Sequence, residues 1–394
     1  MKPNEFSEHS PGRIVKSVQG HLTFLPDEIP PPIHPDLDLV RVTSEAHQAL
    51  GELAGVGRLL PNPHLLIRPF LNREAVLSSR IEGTITRLDQ LFLYEIEPGE
   101  IENQDDAREV RNYVATLEFG LDQIRKKVPI TLHMLRELHQ VLLDGVRGGE
   151  KRPGQIRDRA VLIGKLGQTF ETARFVPPCH TALAPLMENF IQFLRKPQQM
   201  PVVLQLAIMH YQFETIHPFN DGNGRVGRLL ITLILCERGV LPEPLLYLSA
   251  FFERHREEYY DCLLNVSRHG AWGDWFRFFA VGIAEQAHDA IQRSRQLLDL
   301  RETYRARLAK DVRSMAPMRL LDELFASPFV TVNRAKDILN MSFKSAQQIV
   351  VKLEKKRILR EVTKKKRHRI YCAHEILKLL DAPVATPFED GAGN

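Results

Sequence analysis

Residues 217–228 read His-Pro-Phe-Asn-Asp-Gly-Asn-Gly-Arg-Val-Gly-Arg, and an apolar run over 229–235 follows at once. Glycines in such a stretch let the backbone approach a ligand closely. The apolar run predicts a helix, and the N-terminus of a helix presents unpaired N–H groups with a partial positive charge. This loop-to-helix junction is typical of an anion site, most often one for phosphate.

The side chains of this loop favour chemistry on a nucleotide. Arg225 and Arg228 offer planar donor forks that match phosphate oxygens. Asp221 can hold a hard cation such as Mg²⁺ between those oxygens, and His217 can titrate near neutral pH and act as a base. The chemistry indicated is transfer from a nucleotide to a hydroxyl group. The plain alternative is a helix cap with solvated arginines, although a cap does not need all four side chains together.

The composition is that of a soluble globular protein. The chain has 394 residues, 43% apolar and 26% charged, which is long enough for two or three domains. Its four cysteines show no CxxC spacing, so we expect reduced thiols in a cytoplasmic protein rather than disulfides or zinc ligands. The N-terminal residues are polar and charged, and we expect neither a signal peptide nor a membrane span.

Charge is distributed unevenly along the chain. The net charge of +4 divides into +10 for residues 310–380, with 17 Lys and Arg against 7 Asp and Glu, and −6 for the remainder. A basic module on an acidic body favours contact of that module with nucleic acid, although a solvated basic face would give the same count.

Apolar residues at three-to-four spacing predict helices through most of the chain. Thr131 is a predicted N-cap, and Gly239 is a predicted stop for the helix that follows the glycine loop. The predicted helices lie at 131–144, 181–195, 201–215, from the loop to about 238, at 250–267, at 271–283, and at 284–311 as a connecting helix.

One β-hairpin is predicted among these helices. Val161-Leu162-Ile163 and Phe175-Val176 would be its strands, and two prolines close it. The segment from Val161 to Ile163 could pair with an extended part of a target protein as an added strand, or be a plain hairpin.

The order of elements after residue 313 is that of a winged helix-turn-helix. Helices are predicted at 318–325, 332–339 and 344–356, and strands at 358–362 and 369–371. The last helix would lie in the major groove of DNA, and a wing over 364–369 would contact phosphates. The side chains expected to face DNA are Ser342, Lys344, Ser345, Gln347 and Gln348. Winged helices also dock proteins, and the sequence leaves both uses open.

The glycine loop resembles the signature of the Fic (filamentation induced by cyclic AMP) family, HPFx(D/E)GNGRxxR, and meets all nine prescribed positions. Upstream, Ser78-Ser79-Arg80-Ile81-Glu82-Gly83 resembles the family's inhibitory helix, (S/T)xxxE(G/N), at Ser78, Glu82 and Gly83. The resemblance covers roughly residues 35–285. It implies a helical bundle with a β-hairpin flap beside the active site. It also implies transfer of AMP from ATP to a Ser, Thr or Tyr hydroxyl of a protein, with release of pyrophosphate.

The resemblance implies a role for each loop residue. His217 would be the general base, and Asp221 would hold Mg²⁺ against the α- and β-phosphates. Arg225 would grip the β-phosphate or the leaving pyrophosphate, and Arg228 would grip the γ-phosphate. The residues expected to bind the nucleotide are Gly222, Asn223, Gly224, Arg225, Val226, Gly227 and Arg228.

By the same resemblance, Glu82 would pair with Arg228 and block the γ-phosphate pocket. ATP would then bind weakly, or with its α-phosphate out of line for attack. Two alternatives stay open: an ordinary surface carboxylate, or a glutamate that helps water remove AMP from a target.

Three further predictions concern the walls of the pocket. His210 lies two helical turns before His217 and could line the nucleotide pocket, or be a core histidine. Tyr260, together with Tyr259, could form an adenine wall, or pack in the core. His139 is predicted to be structural.

The predicted fold class is mainly α: a Fic-type helical bundle with a β-hairpin flap and a C-terminal winged helix-turn-helix. The predicted divisions are an N-terminal arm (1–35), a helical region with the inhibitory helix (36–125), the catalytic core (126–285), a connecting helix (286–312), the winged helix-turn-helix (313–381) and a disordered tail (382–394).

The predicted function is that of a cytoplasmic protein adenylyltransferase, autoinhibited by Glu82, that uses ATP and Mg²⁺ on an unidentified target protein. The predicted partners include no membrane. DNA could bind through residues 313–381, and the connecting helix or the arm could mediate a homodimer. The rival functions are a de-AMPylase, a transferase of another nucleotide, and a DNA-binding regulator whose core only senses nucleotide.

Overall fold

The computed structural model describes residues 1–59, 64–146, 152–164, 167–196, 198–309, 314–363, 365 and 368–383. This part of the chain is mainly helical, with two small antiparallel sheets. Its α-helices are α1 (Leu37–Leu59), α2 (His64–Ile81), α3 (Leu88–Ile96), α4 (Gln104–Arg125), α5 (Leu132–Leu142), α6 (Leu183–Arg195), α7 (Val202–Ile216), α8 (Asn223–Glu237), α9 (Ser249–Arg254), α10 (Arg256–His269), α11 (Trp272–Ala309), α12 (Ala316–Ala326), α13 (Val332–Leu339), α14 (Phe343–Lys355) and α15 (His374–Asp381). Its strands are β1 (Gly12–Lys16), β2 (Leu22–Pro26), β3 (Phe329–Thr331), β4 (Arg360–Glu361) and β5 (Ile370–Cys372).

Helix α8 lies at the centre of the bundle. Its run from Leu229 to Leu235 is almost fully buried, as expected of a helix that is apolar on every side. Helices α4, α5 and α7 pack around it. The glycine loop therefore leads directly into the buried helix α8.

The N-terminal segment is folded rather than extended. β1 and β2 form an antiparallel hairpin. Phe24 on β2 is completely buried, its ring lies 5.6 Å from that of Phe175, and its N–H donates to the carbonyl of Val176 at 2.9 Å. The prediction of an N-terminal arm over 1–35 did not include these strands, because their apolar partner lies in a distant part of the chain.

The predicted flap is present as a single bridged pair. Ile163 and Phe175 pair in antiparallel fashion, with mutual N–H to carbonyl hydrogen bonds of 2.9 and 3.1 Å. The segment 175–176 is thus held between 161–163 on one side and β2 on the other. The described residues contain this bridge in place of the two longer strands that the sequence predicted.

Two predictions of where helices begin and end were wrong. The predicted helices at 271–283 and 284–311 meet within one helix, α11 (Trp272–Ala309), so the predicted division at 285 falls inside a continuous element; residues 310 and 311 lie outside the described residues. The stretch 250–267 is broken at His255, whose backbone leaves helical geometry between α9 and α10. Helix α11 packs along α1 within the same chain. The homodimer stays a prediction.

The C-terminal region packs against helix α2. Helices α12 and α15 both contact α2 and α11. Arg293 on α11 donates to the carbonyls of Leu379 and Ala382 and pairs with Asp289 at 2.7 Å, which fastens α15 to the body of the molecule.

The three predicted C-terminal helices correspond to α12, α13 and α14. Asn340 turns the chain between α13 and α14 with a φ of 52°, and Ser342 caps α14 through the N–H of Ser345. The sheet has the order β3-β5-β4. The sequence did not predict β3 or α15, because β3 has three residues and pairs only with the distant β5. Residues 364, 366 and 367 of the predicted wing, and 384–394 of the predicted tail, lie outside the described residues.

Candidate active site

The glycine loop is held in shape by left-handed residues and by an amide. His217 ends α7 with a φ of 50°, and Gly222 begins α8 with a φ of 73°. The buried amide of Asn223 accepts from the N–H of Phe219 and donates to its carbonyl, both at 2.9 Å. These two hydrogen bonds close the loop between α7 and α8, so Asn223 has a structural role in the loop.

His139 supports the loop from below. The N–H of Gly154 donates to its Nδ1 at 2.8 Å, so the ring proton is on Nε2, which donates to the carbonyl of Asp221 at 3.0 Å. Its ring stacks on Phe219 at 3.9 Å. Burial lowers the pKa of His139 to about 4, so the ring is neutral. The prediction of a structural histidine agrees with these contacts.

Arg157 was not singled out by the sequence, yet it fastens the loop to the flap. Its buried guanidinium donates to the carbonyl of His217 at 2.8 Å, to that of Pro178 at 2.6 Å and to that of Ile216 at 3.3 Å. It therefore caps the C-terminus of α7, where unpaired carbonyls need donors.

His217 is half-buried and lines the cavity described below. Its Nδ1 lies 3.3 Å from the carbonyl of Glu214, and because a carbonyl can only accept, Nδ1 carries the proton. Nε2 then has the free lone pair. Burial, together with the charge of Arg157, lowers the pKa of His217 to about 4, so the ring is neutral and able to accept a proton at pH 7.

Arg228 is tied to the segment that resembles the inhibitory helix. Its side chain is 1% exposed and pairs with Glu82 at 2.7 Å. Its Nε donates to Ser78 Oγ at 2.9 Å, and Nη2 donates to the Ser78 carbonyl at 3.0 Å. Burial alone would raise the pKa of Glu82, but the charge and hydrogen bond of Arg228 lower it below its ordinary value. Gly83 follows with a φ of +99° and turns the chain away.

Arg225 is the second buried cation of the loop. It lies 3.7 Å from Glu109 and 3.6 Å from Asp221, yet its Nε and Nη1 have no hydrogen-bond partner among the described residues. Buried guanidinium donors are normally satisfied, so these two nitrogens leave capacity for an anion. Val226, by contrast, buries its side chain in the core and can offer a ligand only backbone.

Asp221 shows how a metal could be held. Its Oδ1 accepts from the N–H of Gly222 at 2.6 Å and faces Arg225. The described residues contain no cluster of three or more His, Cys, Asp or Glu side chains placed to bind a metal. Mg²⁺ is commonly held by one or two carboxylates together with substrate phosphates, and a lone carboxylate beside an anion site fits that pattern.

A cavity of about 610 Å³ joins Glu82, His217 and Arg228, whereas Asp221 and Arg225 are not among its lining residues. Its lining includes parts of the glycine loop, the flap and helix α10, through Ile81, Glu82, Ile163, Gly164, Gln168, Arg174, Phe175, Glu214, Thr215, His217, Gly224, Arg228, Arg256, Glu257, Tyr259, Tyr260, Leu263, Leu264 and Ser267. Tyr260 and Ile163 of the segment 161–163 are among them, and the adenine wall stays a prediction. A Cβ on Gly224 would collide with the carboxylate of Glu82, so a larger residue here would displace the end of the Glu82 side chain.

His210 does not belong to this cavity. It is fully buried, its Nε2 lies 2.8 Å from the hydroxyl of Tyr259, and its ring stacks near Phe252 and Trp275. Burial lowers its pKa to about 3. The structure therefore corrects the nucleotide-pocket prediction in favour of the alternative, a core histidine.

Two family models match the chain. The Fic/DOC family N-terminal model matches residues 40–122, and the Fic/DOC family model matches residues 129–235. The chain is a Fic domain protein. The Fic domain contains the glycine loop and the flap, and the N-terminal match contains Ser78, Glu82 and Gly83, so the resemblance read from the sequence is confirmed.

Named relatives of the Fic domain carry a transferase description. A "Protein adenylyltransferase Fic" from Culex quinquefasciatus is 32% identical over 182 residues, 45% of this chain and 32% of that protein. A "Probable protein adenylyltransferase" from Aquifex aeolicus is 42% identical over 91 residues, 23% of this chain and 26% of that protein. The chain thus spans about a third of the length of the curated relatives it matches, or less.

Solved structures share the fold over a larger part of the chain. A Fic family protein from Desulfovibrio desulfuricans G20 covers 88% of this chain and 98% of its own, with a TM-score of 0.57 at 20% identity. Fic-1 from C. elegans covers 66% of this chain and 74% of its own, with a TM-score of 0.52 at 21% identity. Both show similarity of fold.

No helix among the described residues is long and apolar enough to cross a membrane. The four cysteines do not pair with one another in the structure.

Proposed function

We propose that this Fic domain protein transfers AMP from ATP to a Ser, Thr or Tyr hydroxyl of a protein. The observation that carries the proposal is one cavity with a neutral His217 on one side and the buried Arg228 on the other, at the start of α8. A helix N-terminus and an arginine fork are suited to a phosphate chain. The names of the Culex and Aquifex relatives support the same chemistry.

In the proposed reaction the target hydroxyl oxygen attacks the α-phosphorus. Its proton passes to Nε2 of His217, and the bond from the α-phosphorus to pyrophosphate breaks. A neutral imidazole with its proton on Nδ1 is the form that such a base requires. The free donors of Arg225 and the guanidinium of Arg228 would neutralise charge on the leaving pyrophosphate, and positioning of this kind dominates phosphoryl-type transfer.

Mg²⁺ would be held by Asp221 together with the phosphates, and it would neutralise part of their negative charge. Asp221 itself is oriented by the backbone, because His139 fixes its carbonyl and the N–H of Gly222 fixes its carboxylate.

We further propose that Glu82 inhibits this reaction. Its carboxylate occupies the guanidinium of Arg228 at 2.7 Å, which is where a terminal phosphate would bind. Ser78 holds the same guanidinium in place from α2. A phosphate would have to displace Glu82 from Arg228, so the binding free energy of ATP is weakened by the free energy of the Glu82–Arg228 ion pair.

The segment 161–163 is the proposed docking edge for the target. Strand addition needs unpaired backbone groups. The other edge of the flap is covered by β2, whose Phe24 donates to Val176, so among the described residues of the flap the segment 161–163 is the edge left for an added strand.

Incubation with Mg²⁺ and α-labelled ATP tests these proposals. The wild type should label protein weakly, Glu82→Gly strongly, and Glu82→Gly with His217→Ala not at all. The matched control is His139→Gln in the Glu82→Gly background, which perturbs the loop support without removing the base. Absence of label in every lane, with cell lysate as a source of targets, would contradict AMP transfer. Loss of label from a pre-labelled target would favour the de-AMPylase.

We also propose that residues 313–381 form a winged helix that binds DNA. The supporting observation is the outer face of α14, where Lys344, Ser345, Gln347 and Gln348 are all exposed. In a gel shift of the full chain, binding should weaken steeply as salt rises. Lys344→Ala should weaken it, whereas Lys378→Ala, an exposed lysine on α15, should not. Binding without dependence on salt or on Lys344 would favour protein docking.

A further inference from the structure

Glu214 lines the active-site cavity, and neither the Fic motif nor the proposed reaction uses it. It lies on the last turn of α7, three residues before His217. Its Oε1 is buried and has no hydrogen-bond partner among the residues that the structure describes. This oxygen lies so close to α8 that a Cβ at Gly227 would collide with it. Gly227 therefore makes room for a carboxyl group beside the phosphate end of the cavity.

The groups that face Glu214 come from four elements. Arg228 on α8 attracts its carboxylate form, whereas Glu82 after α2 repels it. Tyr259 on α10 and His217 at the end of α7 are neutral. Burial is the largest influence and, with Glu82, raises the pKa of Glu214 to about 8 against the opposing charge of Arg228. At neutral pH the group is a carboxylic acid, which has an O–H to donate.

The position of Glu82 indicates what this acid could bind. The Glu82 carboxylate is an anion held by Arg228, whose guanidinium is in turn oriented by Ser78, and both Glu82 and Glu214 line this cavity. The Glu214 carboxyl group can lie near the Glu82 carboxylate because the Glu214 group is uncharged. Any other anion in the same place would meet the same neutral acid, whereas an ionised Glu214 would repel it.

We propose that Glu214 is an anion-binding residue that acts in its protonated form, donating a hydrogen bond to a phosphate oxygen that replaces Glu82 against Arg228. The inference rests on the proposed nucleotide function of the site. It implies that nucleotide binding is coupled to a proton. Removal of the Glu82 charge lets Glu214 ionise more readily, and the arriving phosphate restores negative charge, so Glu214 takes a proton back.

Calorimetric titration of Mg²⁺-ATP tests the coupling. The protein is the full chain with Glu82→Gly, and with His217→Ala to prevent transfer. Titrations run from pH 7 to pH 9, each in two buffers with different ionisation enthalpies. We expect uptake of up to one proton, and an affinity that weakens by up to about tenfold per pH unit above the pKa of Glu214 in the free protein.

Two added variants assign the proton. Glu214→Gln keeps the shape of the side chain and should remove both the uptake and the pH dependence. Glu257→Gln removes an exposed carboxyl from the same cavity and should leave both unchanged. Thermal melting of each variant without ATP checks that it is folded.

The outcomes separate the two proposals. ATP binding without proton uptake, measured in the parent protein before Glu214 is changed, would overturn the role of Glu214 alone. Uptake that survives Glu214→Gln would overturn it as well. No binding of Mg²⁺-ATP at any pH would overturn the nucleotide site and the role of Glu214 together.

Discussion

Replacing Glu82 by glycine should weaken the fold modestly. Arg228 keeps its two hydrogen bonds to Ser78 but loses a charge partner at 2.7 Å. Breaking a fully buried ion pair typically costs about 3–5 kcal/mol of unfolding free energy. The Glu82 side chain is 36% exposed, and screening by water reduces the expected loss to roughly 1–2 kcal/mol.

The same substitution should strengthen the effect of ATP on stability. A ligand that binds only the folded state adds about 2.7 kcal/mol when its concentration is 100 times its Kd. With Glu82 gone, Arg228 is available to a phosphate. Without ATP, Glu82→Gly should therefore unfold at a lower denaturant concentration than the wild type. With ATP, it should regain at least the stability that it lost. The wild type should gain little at the same concentration.

Denaturant unfolding with and without Mg²⁺-ATP measures both effects. Glu82→Gln is the matched control, because it keeps the size and a hydrogen-bond acceptor but loses the charge, and it should lie between the other two proteins. Equal stabilisation of the wild type and Glu82→Gly by ATP would refute the reasoning, since Glu82 would then not compete with phosphate.

Three other substitutions follow from buried contacts. Glu214→Gln should raise stability by on the order of 3 kcal/mol at pH 7: with a pKa raised from 4.5 to about 8, the folded state holds a proton that the unfolded state releases, so wild-type stability falls as pH rises through that window. In denaturant unfolding at pH 5 and pH 8, the stability difference between the variant and the wild type should widen as pH rises. Arg157→Ala should lower the free energy of unfolding by about 2–4 kcal/mol, because buried carbonyls, including that of His217, lose their donor. It should also reduce labelling in the Glu82→Gly background. Arg157→Lys should recover part of the stability, and an unchanged free energy of unfolding in Arg157→Ala would contradict this role of Arg157. Arg293→Ala should expose the C-terminal region to limited proteolysis, because α15 loses the guanidinium that binds two of its last carbonyls; a digest like that of the wild type would count against this docking.

Local sequence was sufficient where short-range physics decides the structure. Thr131 does cap α5 through the N–H of Met134, and the apolar periodicity located α6, α7 and α8 to within a few residues. A cap or a helix needs only partners three or four residues away. The loop motif likewise carries its own chemistry in twelve consecutive residues.

Contacts between residues far apart in the chain could not be predicted from the sequence. The β1–β2 hairpin packs on residues 175–176, β3 pairs with the distant β5, and α11 packs along α1. His210 satisfied the helical spacing for the pocket, but the spacing could not reveal that its ring faces an aromatic core. Glu214 and Arg157 lie outside the motif, and their roles arise from burial and from which carbonyls they meet.

The sequence by itself determined the family, the mainly helical class and the residue types that meet at the anion site, because these follow from a contiguous motif and from local periodicity. Only the tertiary structure decided that Arg228 bonds Ser78, 150 residues away, and that the C-terminal region rests on the same helix. The physical reason is that an ion pair and a packed surface are set by distance and burial in space, and sequence separation carries no information about either.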